Sequence, residues 1–120
     1  MNESQIKQER RRVQAEVILR ELSRRGVDRE TAKEFLDYHR THPSIWKEFK
    51  ELAFNLWSKG TRRYGAKAVF EVIRYHREIG RKERFKLCNS YTAYYARLFE
   101  IAYPECKGLF ETRQLEGLAR

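Results

Sequence analysis

Residues 87–99 read LCNSYTAYYARLF, and the fold turns on whether this helix is a core element or one that reads nucleic acid. At 100° per residue from Tyr91, the residues Tyr91, Tyr95, Leu98 and Ala102 share one face, flanked by Phe99, Tyr94 and Ile101. The opposite side carries Ala93, Ala96, Arg97 and Glu100, with Ser90 and Thr92 near its edges. Most of the tyrosines therefore point toward a core. The small and polar side is the kind of surface that close approach to a DNA major groove requires. Thr92 and Ala93 can meet a thymine methyl, and Arg97 can reach a guanine edge or a phosphate. Asn89 and Ser90, at the helix start, offer backbone N–H groups to phosphate. An ordinary surface helix would give the same wheel, so the neighbouring sequence has to decide.

That neighbourhood is basic. Residues 59–86 hold ten Lys/Arg against three Asp/Glu, whereas residues 1–43 hold ten against eight. Arg62, Arg63 and Lys67 flank the start of one predicted helix, with Arg74 further along it. Arg81, Lys82, Arg84 and Lys86 lie in the connection to the next. Together with Lys107 and Arg113 beyond the tyrosine-rich helix, they can line one face with Arg97. Such a concentration predicts a potential that attracts polyanions. A solvated face that merely aids solubility is the plainer alternative, and the local excess weighs against it.

Few glycines, two prolines and frequent 3.6-residue periodicity predict a mainly α fold of about five helices. The first helix spans Ser4 to Arg25 and stops at Gly26. Its first turns, including KQERRR, are polar all round and so should project into solvent or lie on a partner. Asp28 caps a second helix with Ala32, Phe35, Leu36 and His39 on one face, which ends before Pro43. The third helix runs from Pro43 to Lys59 before Gly60, with Ile45, Trp46, Phe49, Leu52, Ala53, Leu56 and Trp57 at amphipathic spacing. The fourth, Ala66 to Ile79 between Gly65 and Gly80, turns Val69, Val72, Ile73 and His76 inward. Residues 81–88, where Phe85 and Leu87 alternate with Arg84 and Lys86, predict a short half-buried strand, and Leu109 to Arg113 a second. One strand before and one after the tyrosine-rich helix make the minimal sheet of a winged-helix-like domain. The organisation expected is an N-terminal helical hairpin over residues 1–42 and a winged-helix-like domain over residues 43–120, within one compact unit.

The 120 residues carry a net charge of +9, with 41% hydrophobic and 13% aromatic content, enough for one domain with a real core. MNESQIKQERRR at the start is polar and no apolar run reaches ten residues, so neither a signal peptide nor a membrane span is expected. A soluble, intracellular protein is expected. Cys88 and Cys106 are too few for a disulfide scaffold and read as packing residues. His39 and His42 stand one helical turn apart, but no further ligand completes a metal set. The adjacent Tyr94 and Tyr95 look like the nucleophiles of DNA-nicking enzymes, yet the paired histidines of those metal sites are missing. No phosphate-cradling glycine loop, nucleophile elbow or acidic metal cluster appears. A non-enzymatic protein with no metal or cofactor is expected.

The runs HPSIWKEFKELAFNLWSKGTRRYGAKAVFEVIRYHREI and FKLCNSYTAYYARLFEIAYPECKGLFETR, within residues 42–113 and about 60% of the chain, resemble small bacteriophage- and prophage-encoded proteins. The chain departs from their pattern at Gly65, where a Ser cap is usual, and at Cys88 and Ser90, where further Asn are common. The resemblance implies a phage-related context, and with it a cytoplasmic location in a bacterial host cell, and singles out Arg74, Asn89, Tyr94, Tyr95, Arg97 and Arg113. It implies no particular activity. The expectation is a nucleic-acid-binding regulator or DNA-organising factor, with DNA favoured over RNA. The alternatives are a modulator that binds a host protein and an assembly component that associates with copies of itself through its first helix.

Overall fold

A computed structural model describes residues 2–80 and 91–110 of the chain. Six α-helices follow in order: α1 (Glu3–Arg12), α2 (Ala15–Arg24), α3 (Arg29–Thr41), α4 (Pro43–Ser58), α5 (Ala66–Gly80) and α6 (Thr92–Ala102), then a 3₁₀ turn at Pro104–Cys106. The chain is mainly helical, as composition and periodicity require.

The predicted punctuation governs most of the helix ends. Asp28 accepts a hydrogen bond from the Thr31 N–H at 2.8 Å and opens α3. Pro43 occupies the first turn of α4, and His42, kept out of the helical region, closes α3 and precedes α4. Gly26 and Gly60 stand just past α2 and α4 with φ of 91° and 95°. Both ends are Schellman motifs: the N–H of Val27 reaches the carbonyl of Leu22 and that of Thr61 reaches Leu56, with Gly26 and Gly60 donating to Ser23 and Trp57. A Cβ on Gly60 would meet nothing within 4 Å, so only the left-handed backbone resists substitution there. Gly60→Ala should therefore cost about 1–2 kcal/mol, read as a lowered urea midpoint at an unchanged slope.

Where the sequence predicts one helix over Ser4–Arg25, the structure has two, broken at Val13–Gln14. The geometry explains the break. Glu9 and Ile18 are nine residues apart, half a revolution on a straight helix, yet both are buried. Only a turn between them lets both face the same interior. The polar start is accordingly no free projection: α1 packs against α6, and the Arg12 guanidinium donates to the Ala102 carbonyl at 3.1 Å.

The core is built of rings. Tyr95 of α6 lies 4.9 Å from Phe35 of α3, 5.9 Å from Phe49 of α4 and 5.7 Å from Phe70 of α5, centroid to centroid. Phe110 closes the floor against Phe49 and Phe99. The buried hydrophobic cluster is continuous from Ile18 and Leu22 of α2 to Phe110. It spans both the predicted hairpin and the predicted C-terminal unit.

Among the described residues no strand forms, and a winged helix has no support there. The strand expected within residues 81–88 lies outside the described residues. The second, Leu109 to Arg113, is described only to Phe110, which makes one isolated parallel bridge with Tyr64. The fourth predicted helix has its inner face rotated. Val69, Phe70 and Ile73 are buried, while His76 is exposed and its Nδ1 lies 2.7 Å from Glu48 Oε2. Phe70 takes the interior place that a single helical wheel assigns to His76.

A buried polar cluster joins three parts of the chain. Glu9, 6% exposed, accepts at Oε1 from the Lys50 ammonium at 2.5 Å and from the Tyr103 hydroxyl at 2.8 Å. Burial and the adjoining carboxylate push the Tyr103 hydroxyl far above its ordinary pKa. His39 packs beside Phe35, Trp46 and Tyr95. Desolvation drives its pKa down to about 4, with Glu9 and Lys50 acting in opposite directions on it.

Candidate nucleic-acid interface

The predicted binding residues divide sharply by location. Arg62, Arg63 and Lys67 are exposed on the α4–α5 loop and the first turn of α5. Arg74 is half-exposed on α5 and paired with Glu71 at 2.5 Å. Thr92 and Ala93 are half-buried. Arg81, Lys82, Arg84, Lys86, Asn89, Ser90 and Arg113 lie outside the described residues.

Arg97 corrects the sequence reading most. It is 4% exposed, and its guanidinium donates back to the Ala93 carbonyl at 3.0 Å, with burial lowering its pKa. Tyr94, Tyr95, Ala96, Leu98, Phe99, Ile101 and Ala102 are buried with it. A helix enclosed on every side in this way cannot enter a major groove. The side expected to face DNA is covered by α1 and α2: Arg25 of α2 bonds Glu100 at 3.2 Å, and Arg12 of α1 reaches Ala102. The small residues Ala93 and Ala96 fit close approach by neighbouring helices rather than by a duplex. Two apolar flanks plus an alanine-rich back were the available signal of a central helix.

What remains exposed is the α4–α5 loop and the outer face of α5, within a segment from Lys59 to Arg77 that holds six Lys/Arg and a single acidic residue, Glu71. Its loop is held firmly. After the Schellman turn at Gly60, Arg62 lays its guanidinium carbon 3.8 Å from the Trp57 ring centroid. The same group donates to the carbonyls of Trp57 at 2.8 Å and Thr61 at 3.1 Å, at the negative end of α4. Two residues on, the Tyr64 N–H donates to the Leu109 carbonyl at 2.7 Å, and Leu109 and Phe110 are both buried. The loop is thus tied to α4 at one end and to the core at the other.

The solvent side of α5 continues this surface. Lys67, Ala68, Glu71 and Tyr75 are exposed at helical spacing, with half-exposed Arg74 beside them. Arg77 turns instead toward α4, where it meets Ser44 at 3.2 Å and Glu48 at 3.8 Å. Sequence reading missed Tyr64 and Tyr75, which are 38% and 60% exposed as whole residues. Their immediate flanks, Arg63–Tyr64 and Arg74–Tyr75, are basic–aromatic pairs and were the signal that could have found them.

Among the described residues no three His, Cys, Asp or Glu side chains come together as a metal site. Cys106 is buried, and burial raises its thiol to about 11, which disfavours the reactive thiolate at neutral pH. No helix among the described residues is long and apolar enough to cross a membrane. Comparison with protein-family models, with curated proteins and with solved structures finds no match to this chain.

Proposed function

We propose that the chain is a non-enzymatic nucleic-acid-binding protein that uses the exposed basic surface of the α4–α5 loop and α5. The observation that carries this reading is the pairing of charge with support. Lys59, Arg62, Arg63 and Lys67 are exposed, against the one carboxylate Glu71, on a segment anchored to Trp57 and Leu109. Fixed cations on a rigid scaffold neutralise backbone phosphates with little ordering cost, and counterion release then supplies the affinity. The resemblance of residues 42–113 to phage-encoded proteins supports a role as a small phage or prophage regulator or nucleic-acid-organising factor. In this reading α6 is the structural axis of the domain, and Arg62, Arg63 and Lys67 lie on the binding face.

The test is an electrophoretic mobility shift over a salt series with single- and double-stranded oligonucleotides. Arg63→Ala/Lys67→Ala should weaken binding of every sequence and flatten the plot of log K against log salt by up to about two units. The thermal midpoint should stay within a few degrees, because both residues are exposed. Retention of no nucleic acid at low salt would end the proposal.

A further inference from the structure

The two exposed large hydrophobic side chains among the described residues, Tyr64 and Tyr75, both fall inside the basic Lys59–Arg77 segment. The other described aromatic residues are buried or half-buried, many in ring-to-ring contact around Tyr95, so the interior does not lack room for aromatic packing. An exposed ring beside a cation offers a flat apolar face next to a phosphate-neutralising charge. A duplex hides its base faces inside its own stack and gains little from such rings. An unpaired strand can lay a base on each ring and its phosphates on the neighbouring cations.

Arg62 adds a third flat element. Its guanidinium is already stacked on Trp57 and held by two carbonyls, so the plane is oriented before any ligand arrives. Along α5 the rise from Ala66 to Tyr75 is about 14 Å. At roughly 3.4 Å per stacked nucleotide, that length matches about four nucleotides. Glu71 pairs with Arg74 on this face, and the exposed Lys59, Arg63 and Lys67 place cationic side chains close in sequence to the rings.

We infer that this surface binds unpaired nucleic acid in preference to duplex, with Tyr64 and Tyr75 stacking on bases and Lys59, Arg63 and Lys67 contacting phosphates. The inference rests on the nucleic-acid reading above and names its substrate class. Single-stranded DNA and single-stranded RNA share the chemistry, and parallel arms of the test separate them.

The experiment is fluorescence anisotropy of the full chain with labelled dT20, rU20 and a mixed-sequence 20-base-pair duplex at one salt concentration. Three proteins are compared: wild type, Tyr64→Ala/Tyr75→Ala and Tyr64→Phe/Tyr75→Phe. Wild type should bind at least one of the two single strands about tenfold or more tighter than duplex. The double alanine variant should lose about tenfold or more on that strand and much less on duplex, and the phenylalanine variant should restore the affinity. The ratio of dT20 to rU20 affinity identifies which strand is preferred. Equal or tighter duplex binding, or an alanine variant that binds single strands like wild type, would overturn the inference while leaving nucleic-acid binding intact. Failure of wild type to bind any of the three probes would overturn both. Circular dichroism melting of each variant shows whether a lost affinity reflects lost rings or lost fold.

Discussion

Replacing Glu9 with alanine is expected to lower the unfolding free energy by about 3–5 kcal/mol, the cost of leaving one member of a buried ion pair without its partner. The Lys50 ammonium and the Tyr103 hydroxyl converge on one carboxylate oxygen, and its removal takes that shared acceptor from both. Lys50 also lies 5.8 Å from the Trp46 ring centroid, a contact too weak to replace a carboxylate. Glu9→Gln keeps an acceptor oxygen and removes the charge, so it should fall between wild type and Glu9→Ala. The triple replacement Glu9→Leu/Lys50→Met/Tyr103→Phe removes every polar member together and should return to within about 1 kcal/mol of wild type, or exceed it. Urea denaturation of the series measures all of this. A loss below 1 kcal/mol for Glu9→Ala would show that α1 is not docked through this carboxylate.

Stability should also fall as the pH drops, through His39. Its folded pKa of about 4 lies below the ordinary 6.5 of an unfolded chain, because burial disfavours the charged ring. Above pH 6.5 the ring is neutral in both states and imposes no penalty. Between 6.5 and 4 the unfolded chain takes up a proton that the folded protein refuses, and about 3 kcal/mol drains away across that window. Below pH 4 both states are protonated and this contribution levels off. His39→Leu should abolish most of this dependence, which urea midpoints at half-unit steps from pH 7.5 to 4 would reveal. Identical pH profiles for wild type and His39→Leu would refute the assignment.

Residues that act through their own helix were readable in the sequence. Asp28, Gly26, Gly60 and Pro43 set ends by local backbone chemistry, and the row from Ile45 to Ala53 declared an inward face without help from elsewhere. What could not be read depends on a second element. The break at Val13–Gln14 follows from Glu9 and Ile18 having to reach one interior, and that interior includes Lys50 and Tyr103. Arg97 looks outward on a wheel because the wheel contains no α2. The same limit produced the recognition-helix expectation, since an apolar flank and a small polar back describe a recognition helix and a central helix equally well. In the candidate interface, Arg62, Arg63 and Lys67 were legible as charge. The exposure of Tyr64 and Tyr75 was not, because aromatic residues in a 120-residue chain are ordinarily assigned to the core.

The Glu9 cluster has a further consequence for the order of assembly. Translation runs from the amino to the carboxyl end, so α1 emerges before α4 and α6, yet its carboxylate waits for Lys50 and then for Tyr103, 94 residues downstream. Until then Glu9 gains nothing from burial, and α1 remains a hydrated, cationic segment beside the growing chain. Although made before the helices it packs on, α1 is therefore among the last to lock, and it docks only after the central helix it rests on has been synthesised.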